Sequence, residues 1–310
     1  MKIIFFGSPA PALPTLEKLL EAGHKIELII TQPDKPSGRG KTQTAPPVKE
    51  FAQRRNLPVL QPVKIRQDEN ALAAIKKTNP DINVVVAYGQ MIPASIIYLP
   101  RLRSLNVHFS LLPKYRGAAP VQWAILRGET KTGVTIFELT EKMDEGEIVA
   151  TQETDILERE NAAQLETRLA QIGATLLIKT LEGIEGIRHS PQDHSQASYA
   201  PRLKKEQGRI DWANDALAVD RMVRAFNPWP AAHTFFKSQR LIIHAGRRLA
   251  DSGTGSHPGR VLDIKKEGIA VGCGSGSVYL AERLQRENKK AMEAAEFVRG
   301  IKIEPGDVFE

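Results

Sequence analysis

The first two thirds of the chain alternate between short apolar runs and segments with the spacing of amphipathic helices. Helical spacing occurs at 12–22 and 68–78, and a longer helical segment covers about 161–186. Short continuous apolar strands separated by such helices are typical of a parallel sheet covered on both faces. The pattern therefore predicts an open, mostly parallel α/β domain. The apolar, β-branched runs that would form its strands lie at 2–7, 26–31, 82–88, 104–109 and 134–139.

The pattern changes after residue 187. Residues 188–209 are polar, lack periodicity and contain two prolines, which predicts an interdomain linker. The domains would then cover 1–187 and 210–310, the second opening with a helix at about 213–226. Its short strands and glycine-rich turns favour a small barrel or sandwich. These expected strands lie at 240–245, 259–264, 268–273 and 276–281.

Two loops lie where a ligand could bind. Residues 32–47 carry four prolines and two glycines, which predicts a loop without secondary structure. A loop of this length inside a compact domain is usually functional or disordered. Residues 110–120 follow the strand that carries His108, and open parallel sheets hold their ligands at the carboxyl ends of their strands.

Composition narrows the function classes. Apolar residues make up 41% and charged residues 25% of the chain, as in soluble globular proteins. No run approaches the roughly 20 apolar residues that a membrane span needs. The opening run MKIIFFGSP is too short for a signal peptide, so we expect a first strand and a cytoplasmic protein. The single cysteine, Cys273, lies in an apolar run and is expected to be a buried thiol.

The net charge of +7 is unevenly distributed. Residues 201–310 have a net charge of +5, and residues 34–66, with 8 basic and 2 acidic side chains, have a net charge of +6. Such an excess suits a polyanionic partner, because neutralising phosphates releases counterions. On charge alone, a solvated basic face is the alternative.

Several large enzyme classes lack their signatures in this sequence. The first strand-to-helix turn, Gly7-Ser8-Pro9, is not the GxGxxG dinucleotide motif, and its glycine could simply make a tight turn. The motifs GxxxxGK[ST], HExxH and GxSxG are also missing. These absences argue against a dehydrogenase, a P-loop enzyme, a zinc protease and an α/β hydrolase.

The remaining candidate for a catalytic motif is Asn106-Val107-His108, at the carboxyl end of a predicted interior strand. Because side chains alternate along a strand, Asn106 and His108 project to the same side and can address one carbonyl oxygen. Acyl transfer to an amine passes through an oxyanion, and each donor aimed at it lowers the barrier by about 3–4 kcal/mol. A polar pair that only caps the sheet is the alternative.

Asp144 lies in the turn KMDEGE (142–147), after the strand at 134–139. An aspartate near His108 would orient the imidazole ring and accept the proton that an attacking amine loses. A solvated acidic residue is the alternative for this position.

The run NVHFSLLPKYRGAAPVQWAI (106–125) resembles the signature of the folate-dependent formyltransferases. Their pattern is Asn-x-His, SLLP, an RGAAP-type stretch and a later aspartate in an MDxG turn, and all four are present here. The resemblance implies that Asn106, His108 and Asp144 are catalytic. It also implies that folate binds along the SLLP loop and the segment after the preceding strand, at Ser110, Leu111, Leu112, Pro113, Ala87, Tyr88, Gly89, Gln90 and Ile92.

The branch of that family that acts on methionyl initiator tRNA is similar over nearly the whole chain. The similarity extends to PDKPSGRGK, SYAPRLKKEQGRIDW and NPWPAA, outside the shared catalytic core. It implies a Rossmann-like sheet domain followed by a small OB-like β-barrel domain. It also implies that the basic loop meets the acceptor end of initiator tRNA through Lys35, Arg39 and Lys41, which would position the RNA without reading its sequence.

The function implied is transfer of the formyl group of 10-formyltetrahydrofolate, a co-substrate, to the α-amine of methionyl initiator tRNA, for translation initiation. We expect no metal, no membrane association and a monomer. Two rivals stay open: the same chemistry on a small amine, and an RNA-binding module whose catalytic core has decayed. Phe109 and Pro9-Ala10-Pro11 depart from the family pattern, which puts in doubt the width of the pocket mouth and any contact from the first turn.

Overall fold

The computed structural model describes residues 1–37, 42–249 and 257–310. Within them the chain divides into two compact units. The first contains Met1–Pro120, Lys131–Asp155 and Glu166–Pro201. The second contains Val121–Thr130, Ile156–Leu165 and Arg202–Glu310. None of the helices in this described part combines the length and apolar character that a bilayer crossing requires.

The strands and helices are numbered in chain order. The strands of the first unit are β1 Lys2–Gly7, β2 Lys25–Ile30, β3 Lys35–Ser37, β4 Thr42–Thr44, β5 Val59–Leu60, β6 Ile82–Val86, β7 Ser104–His108, β8 Arg116–Gly117, β9 Lys131–Glu138, β10 Ile148–Asp155 and β11 Tyr199–Ala200. Those of the second unit are β12 His233–Phe236, β13 Gln239–Leu249, β14 Val261–Ile264, β15 Ile269–Gly272, β16 Val278–Arg286 and β17 Met292–Glu293. The helices are α1 Leu13–Glu21, α2 Pro47–Arg54, α3 Glu69–Thr78, α4 Ala94–Ile97, α5 Pro120–Leu126, α6 Ala162–Glu182, α7 Ala216–Ala225 and α8 Ala294–Gly300.

The first unit is built on a seven-stranded sheet in the order β10-β9-β7-β6-β1-β2-β5. Strands β5, β2, β1, β6 and β7 run parallel to one another, whereas β9 is antiparallel to β7 and β10 is antiparallel to β9. Every residue of β6 is buried, as expected for an interior strand covered on both faces. The predicted parallel sheet is therefore confirmed, and it places the ends of β6 and β7 side by side.

The loop at 32–47 differs from the prediction of a segment without secondary structure. Strands β3 and β4 form an antiparallel ribbon in which Lys35 pairs with Thr44 and Ser37 with Thr42. Both strands are three residues long, and Pro36 lies in the middle of β3. Polar strands this short give no apolar alternation, which is the signal that sequence analysis depends on. The prediction for this segment was therefore wrong.

The second unit is an antiparallel sheet in the order β12-β13-β16-β15-β14, with β17 paired to β16. The register of β13 against β16 shifts around Ala245, and such bulges increase local twist and curl the sheet. Trp212, Tyr279 and Phe309 fill the core beneath it. The predicted fold class, a mostly parallel α/β domain followed by a small barrel-like β domain, is confirmed. The finer limits 1–187, 188–209 and 210–310 stay predictions.

Candidate active site

His108 lies at the end of β7 and is 6% exposed. Its Nε2 is 3.0 Å from the carbonyl oxygen of Tyr115. Because a carbonyl oxygen only accepts, Nε2 carries the hydrogen, and the ring presents Nδ1 on its other side. That Nδ1 lies 3.9 Å from Oδ2 of Asp144. The edge-on contact with Phe137, at 6.2 Å between ring centroids, further fixes the imidazole plane.

Asp144 is held in the turn between β9 and β10 and is not a solvated surface acid. Its side chain is 14% exposed, and Oδ2 accepts a 2.7 Å hydrogen bond from the backbone N–H of Gly117. The residue adopts φ +54°, the left-handed region that few non-glycine residues enter. The structure thus brings His108 and Asp144 together. Asn106 lies two residues earlier on β7, on the same face as His108 and half-buried.

The SLLP loop is fixed to β9 by a hydroxyl that bonds twice. Thr135 Oγ1 donates to the Ser110 carbonyl at 2.7 Å and accepts from the Leu112 N–H at 3.0 Å. Ser110 Oγ donates to the Lys114 carbonyl at 2.7 Å. Leu111 and Pro113 are half-buried, whereas Ser110 and Leu112 are buried. Leu111 and Pro113 are therefore the members of this loop that could contact a folate through their side chains.

The segment 87–93 combines exposed backbone with side chains that point into the core. Tyr88 and Ile92 are 2% and 6% exposed and pack in the apolar cluster under the sheet. Burial raises the pKa of the Tyr88 phenol far above its usual value. Ala87 and Gly89 are exposed at positive φ. The Gln90 amide is occupied by backbone partners: its Nε2 donates to the carbonyl oxygens of Pro62 and Val63, and its Oε1 accepts from the Ile65 N–H. A folate contact from this segment is thus expected from the main chain at Ala87 and Gly89, while folate binding itself stays a prediction.

The base of the basic loop is anchored by Asp34. Its carboxylate accepts from the Lys49 ammonium at 2.7 and 2.8 Å and from the Gln61 amide at 2.8 Å. These bonds, Lys49 first, hold the pKa of Asp34 below its usual range. Lys35 is exposed on β3, whereas Arg39 and Lys41 lie outside the described residues.

The structure places the side chain of Phe109 and shows why the first turn has a glycine at position 7. Phe109 is 7% exposed and packs near Gly173 of α6, where an added Cβ would lie 3.7 Å from the phenyl ring. Phe109 therefore lies on the opposite face of β7 from His108 and does not narrow the site. A Cβ on Gly7 would lie 3.0 Å from the Val86 carbonyl oxygen, so glycine here permits a close approach of two strand ends.

Two other features contain none of the predicted trio. A cleft of about 360 Å³ is lined by Tyr98, Thr140, Glu141, Lys142, Glu145 and His194. Glu138, Glu147 and His189 offer possible metal ligands within 4.8 Å of one another. Glu138 already accepts from His189 at 2.8 Å and lies 4.0 Å from Arg103, so we assign these groups to an ion-pair cluster. The expectation that no metal is needed stays a prediction.

Sequence analysis missed the residues that support the Asp144 turn. Arg116 is 2% exposed, and its guanidinium contacts Gln192, His194 and Glu145. Gln192 lies in the segment predicted to be a linker, and so does Ser198, whose hydroxyl accepts from the Tyr115 N–H at 2.9 Å. The partners are separated by about 80 residues in the chain, so no local pattern marks them.

Family models match both units of the chain. The formyl transferase model covers residues 1–181, and the model of the formyl transferase C-terminal domain covers residues 202–302. A methionyl-tRNA formyltransferase of Geobacter sulfurreducens is 42% identical over 308 residues, covering 99% of this chain and 96% of the relative. One of Solibacter usitatus is 44% identical over 305 residues, covering 98% and 96%.

Solved structures with the same fold are more distant in sequence. HypX from Aquifex aeolicus in complex with tetrahydrofolic acid has a TM-score of 0.63 at 19% identity, covering 100% of this chain and 50% of that one. The sugar 3N-formyl transferase WlaRD has a TM-score of 0.68 at 18% identity, covering 94% and 99%. With family models matched over both units and relatives above 40% identity along the whole chain, this protein belongs to the formyl transferase family.

Proposed function

We propose that the protein transfers the formyl group of 10-formyltetrahydrofolate to the α-amine of methionine esterified to initiator tRNA. The observation that carries the proposal is that this chain is similar to its relatives over nearly their whole length. Relatives named methionyl-tRNA formyltransferase match the second unit as well as the first, over 96% of their own length. The net charge of +5 over residues 201–310 and the basic loop also suit a large polyanionic acceptor.

The geometry at β7 supports a direct acyl transfer. The amine nitrogen attacks the formyl carbon, and the carbonyl oxygen becomes an oxyanion. The Asn106 amide and the imidazole of His108 face the side of the strand where that oxygen would lie, and donors placed in advance stabilise it most effectively. Nδ1 is the ring nitrogen left for this role, because Nε2–H is committed to Tyr115, and Nδ1 donates to the oxyanion in the protonated ring.

Asp144 completes the proton balance. Its carboxylate, 3.9 Å from Nδ1 of His108, stabilises the ring when Nδ1 is protonated and helps to take the proton that the attacking amine loses. The new N–C bond forms as the bond from the formyl carbon to N10 of the folate breaks. The departing N10 gains one proton, which balances the one lost by the amine. In this proposal the protein acts as a cytoplasmic monomer and uses no metal.

The acceptor is tested by comparing rates on different amines. Purified protein is given 10-formyltetrahydrofolate with methionyl initiator tRNA, free methionine, glycinamide ribonucleotide or a nucleotide-linked amino sugar. We expect kcat/KM to be highest for the charged tRNA by several orders of magnitude. A higher kcat/KM for a small amine would overturn the proposed acceptor, and no formyl transfer to any amine would leave only the RNA-binding alternative.

The basic loop is proposed to contact the acceptor end of the tRNA through Lys35, Arg39 and Lys41. Arg39→Ala should raise KM for tRNA and leave folate binding unchanged. Arg55→Ala is the matched control, since Arg55 is an exposed arginine of the same basic cluster and lies over the ring of Phe51. If both substitutions raised KM for tRNA equally, the loop would contribute only to a general electrostatic attraction and not to a specific contact. Equal loss of tRNA and folate binding in Arg39→Ala would refute the assignment of the loop to tRNA.

A further inference from the structure

Gln192 is a buried amide whose four hydrogen-bonding positions are all used. It is 6% exposed. Its Oε1 accepts from Nε and Nη2 of Arg116 at 3.1 and 2.7 Å. Its Nε2 donates to the carbonyl oxygens of Asp144 and Gly146 at 2.9 and 2.7 Å. An amide has two acceptor and two donor positions, so none is left over.

These partners leave only one orientation for the amide. If oxygen and nitrogen were exchanged, the NH2 group would face a guanidinium and the oxygen would face two carbonyl oxygens. Arg116 is itself 2% exposed and cannot move into water without breaking its contacts with His194 at 3.1 Å and Glu145 at 3.4 Å. Gln192 is thus a rigid bridge between a buried cation and the main chain of the Asp144 turn.

The dipeptide Arg116-Gly117 supports Asp144 from two directions. The side chain of Arg116 orients Gln192, while the backbone N–H of Gly117 donates to Asp144 Oδ2 at 2.7 Å. The main chain of Asp144 is held by Gln192, and its carboxylate is held by Gly117. Both bonds help to hold Asp144 at φ +54°, a conformation that costs about 1–3 kcal/mol for a residue that is not glycine.

We propose that Gln192, from the segment expected to be a linker, is a positioning residue that sets the Asp144 carboxylate against His108. This inference rests on the proposed role of Asp144 in formyl transfer. Gln192 touches neither the formyl carbon nor His108, so its effect passes through the Asp144 turn. Without its two donated bonds the turn relaxes, and the 3.9 Å approach of Oδ2 to Nδ1 is lost.

The test uses two substitutions of different character and a control. Gln192→Glu keeps the volume and the acceptor for Arg116, but it replaces the two donors with an oxygen that faces two carbonyls. Gln192→Ala removes the bridge. Gln196→Ala is the control, because Gln196 is an exposed glutamine four residues away whose side chain bonds only to Asp193 among the residues described.

Steady-state kinetics separate positioning from binding. We expect both Gln192 variants to lower kcat about 10²-fold, the cost of a catalytic group misplaced by about 1 Å, with KM for both substrates within about twofold. In an Asp144→Asn background, Gln192→Ala should cost little more, because the group it positions is already gone. Equal losses in both backgrounds, or unchanged kcat with raised KM, would overturn the inference.

A second measurement does not depend on activity. In ¹⁵N-histidine-labelled protein, the His108 ring signals should move in the same direction in Gln192→Ala and in Asp144→Asn, and stay in place in Gln196→Ala. Ring signals that move with Asp144→Asn and not with Gln192→Ala would refute the positioning role. If the ring signals moved as expected while wild-type protein formylated no amine, the proposed function would fail and the structural bridge would stand.

Discussion

Gly117 offers a test in which the structural cost can be worked out from its surroundings. It stands at φ +120°, and a Cβ added to it would lie 2.7 Å from the carbonyl oxygen of Ala200. That oxygen cannot withdraw freely, because it accepts from the N–H groups of Ala118 and Ala119 at 2.9 and 3.2 Å. Gly117→Ala therefore meets two penalties, one of backbone strain and one of overlap.

The two penalties add to a substantial loss of stability. Strain at an unfavourable φ costs about 1–3 kcal/mol, and forced overpacking costs about 1–3 kcal/mol. We expect Gly117→Ala to lower the unfolding free energy of the first unit by about 4 kcal/mol. For a unit of this size, that corresponds to a fall in Tm of roughly 8–16 °C. The rate of formyl transfer should fall about 10²-fold as well, since the Gly117 N–H also holds Asp144.

Differential scanning calorimetry with two control glycines separates the contributions. Gly23 has φ +75° and no atom within 4 Å of the position that a Cβ would take, so Gly23→Ala measures strain alone, about 1–2 kcal/mol. Gly186 has open space and no positive φ, so Gly186→Ala should change little. If Gly117→Ala were no more destabilising than Gly23→Ala and kept full activity, the argument that Gly117 fixes the Asp144 turn would be refuted.

Three further predictions concern residues away from the site. Burial raises the pKa of the Cys273 thiol to about 12, so it should resist a thiol reagent at pH 8 and react within minutes once the protein is unfolded; fast reaction of the native protein would contradict the burial. Trp212→Phe removes the 3.0 Å bond from Nε1 to Thr234 Oγ1 and should cost about 1–3 kcal/mol in urea unfolding, whereas Trp229→Phe, at a half-exposed site, should cost less than about 0.5 kcal/mol. Burial raises the pKa of Glu166, so the folded state holds that proton at a higher pH than the unfolded state and the charged form opposes folding at pH 7. Glu166→Gln should therefore raise Tm at pH 7, and the gain should shrink as the pH falls and vanish near about pH 3, below the ordinary glutamate pKa, where wild type is protonated in both states; a gain that persisted there would refute the electrostatic cause.

The parallel sheet and the strand that carries Asn106 and His108 could be predicted because a buried strand has a pattern that is local in the sequence. The positions of these two side chains followed from alternation alone. Asp144 needed the family resemblance, since a lone aspartate in a turn has no distinctive spacing. The side chains of Tyr88 and Ile92 could not be placed, because the chain leaves β6 through Ala87 at φ +48° and the alternation ends there.

The supports of Asp144 could not be predicted for a different reason. Arg116 lies in the RGAAP-type stretch of the family signature, but a sequence motif does not indicate where the guanidinium points. Gln192 lies 76 residues further along, in a polar segment whose composition is that of a linker. A buried polar network depends on exact three-dimensional pairing between distant segments, and hydrophobic periodicity carries no information about it.

The most direct test of the account is single-turnover formyl transfer to methionyl initiator tRNA, with the product identified as N-formylmethionine by mass spectrometry. Wild type should form it, while Asn106→Ala and His108→Ala should each slow the chemical step about 10²–10³-fold and leave substrate binding nearly unchanged. Formation of N-formylmethionine at the wild-type rate by either variant would contradict the assignment of the oxyanion site to the end of β7.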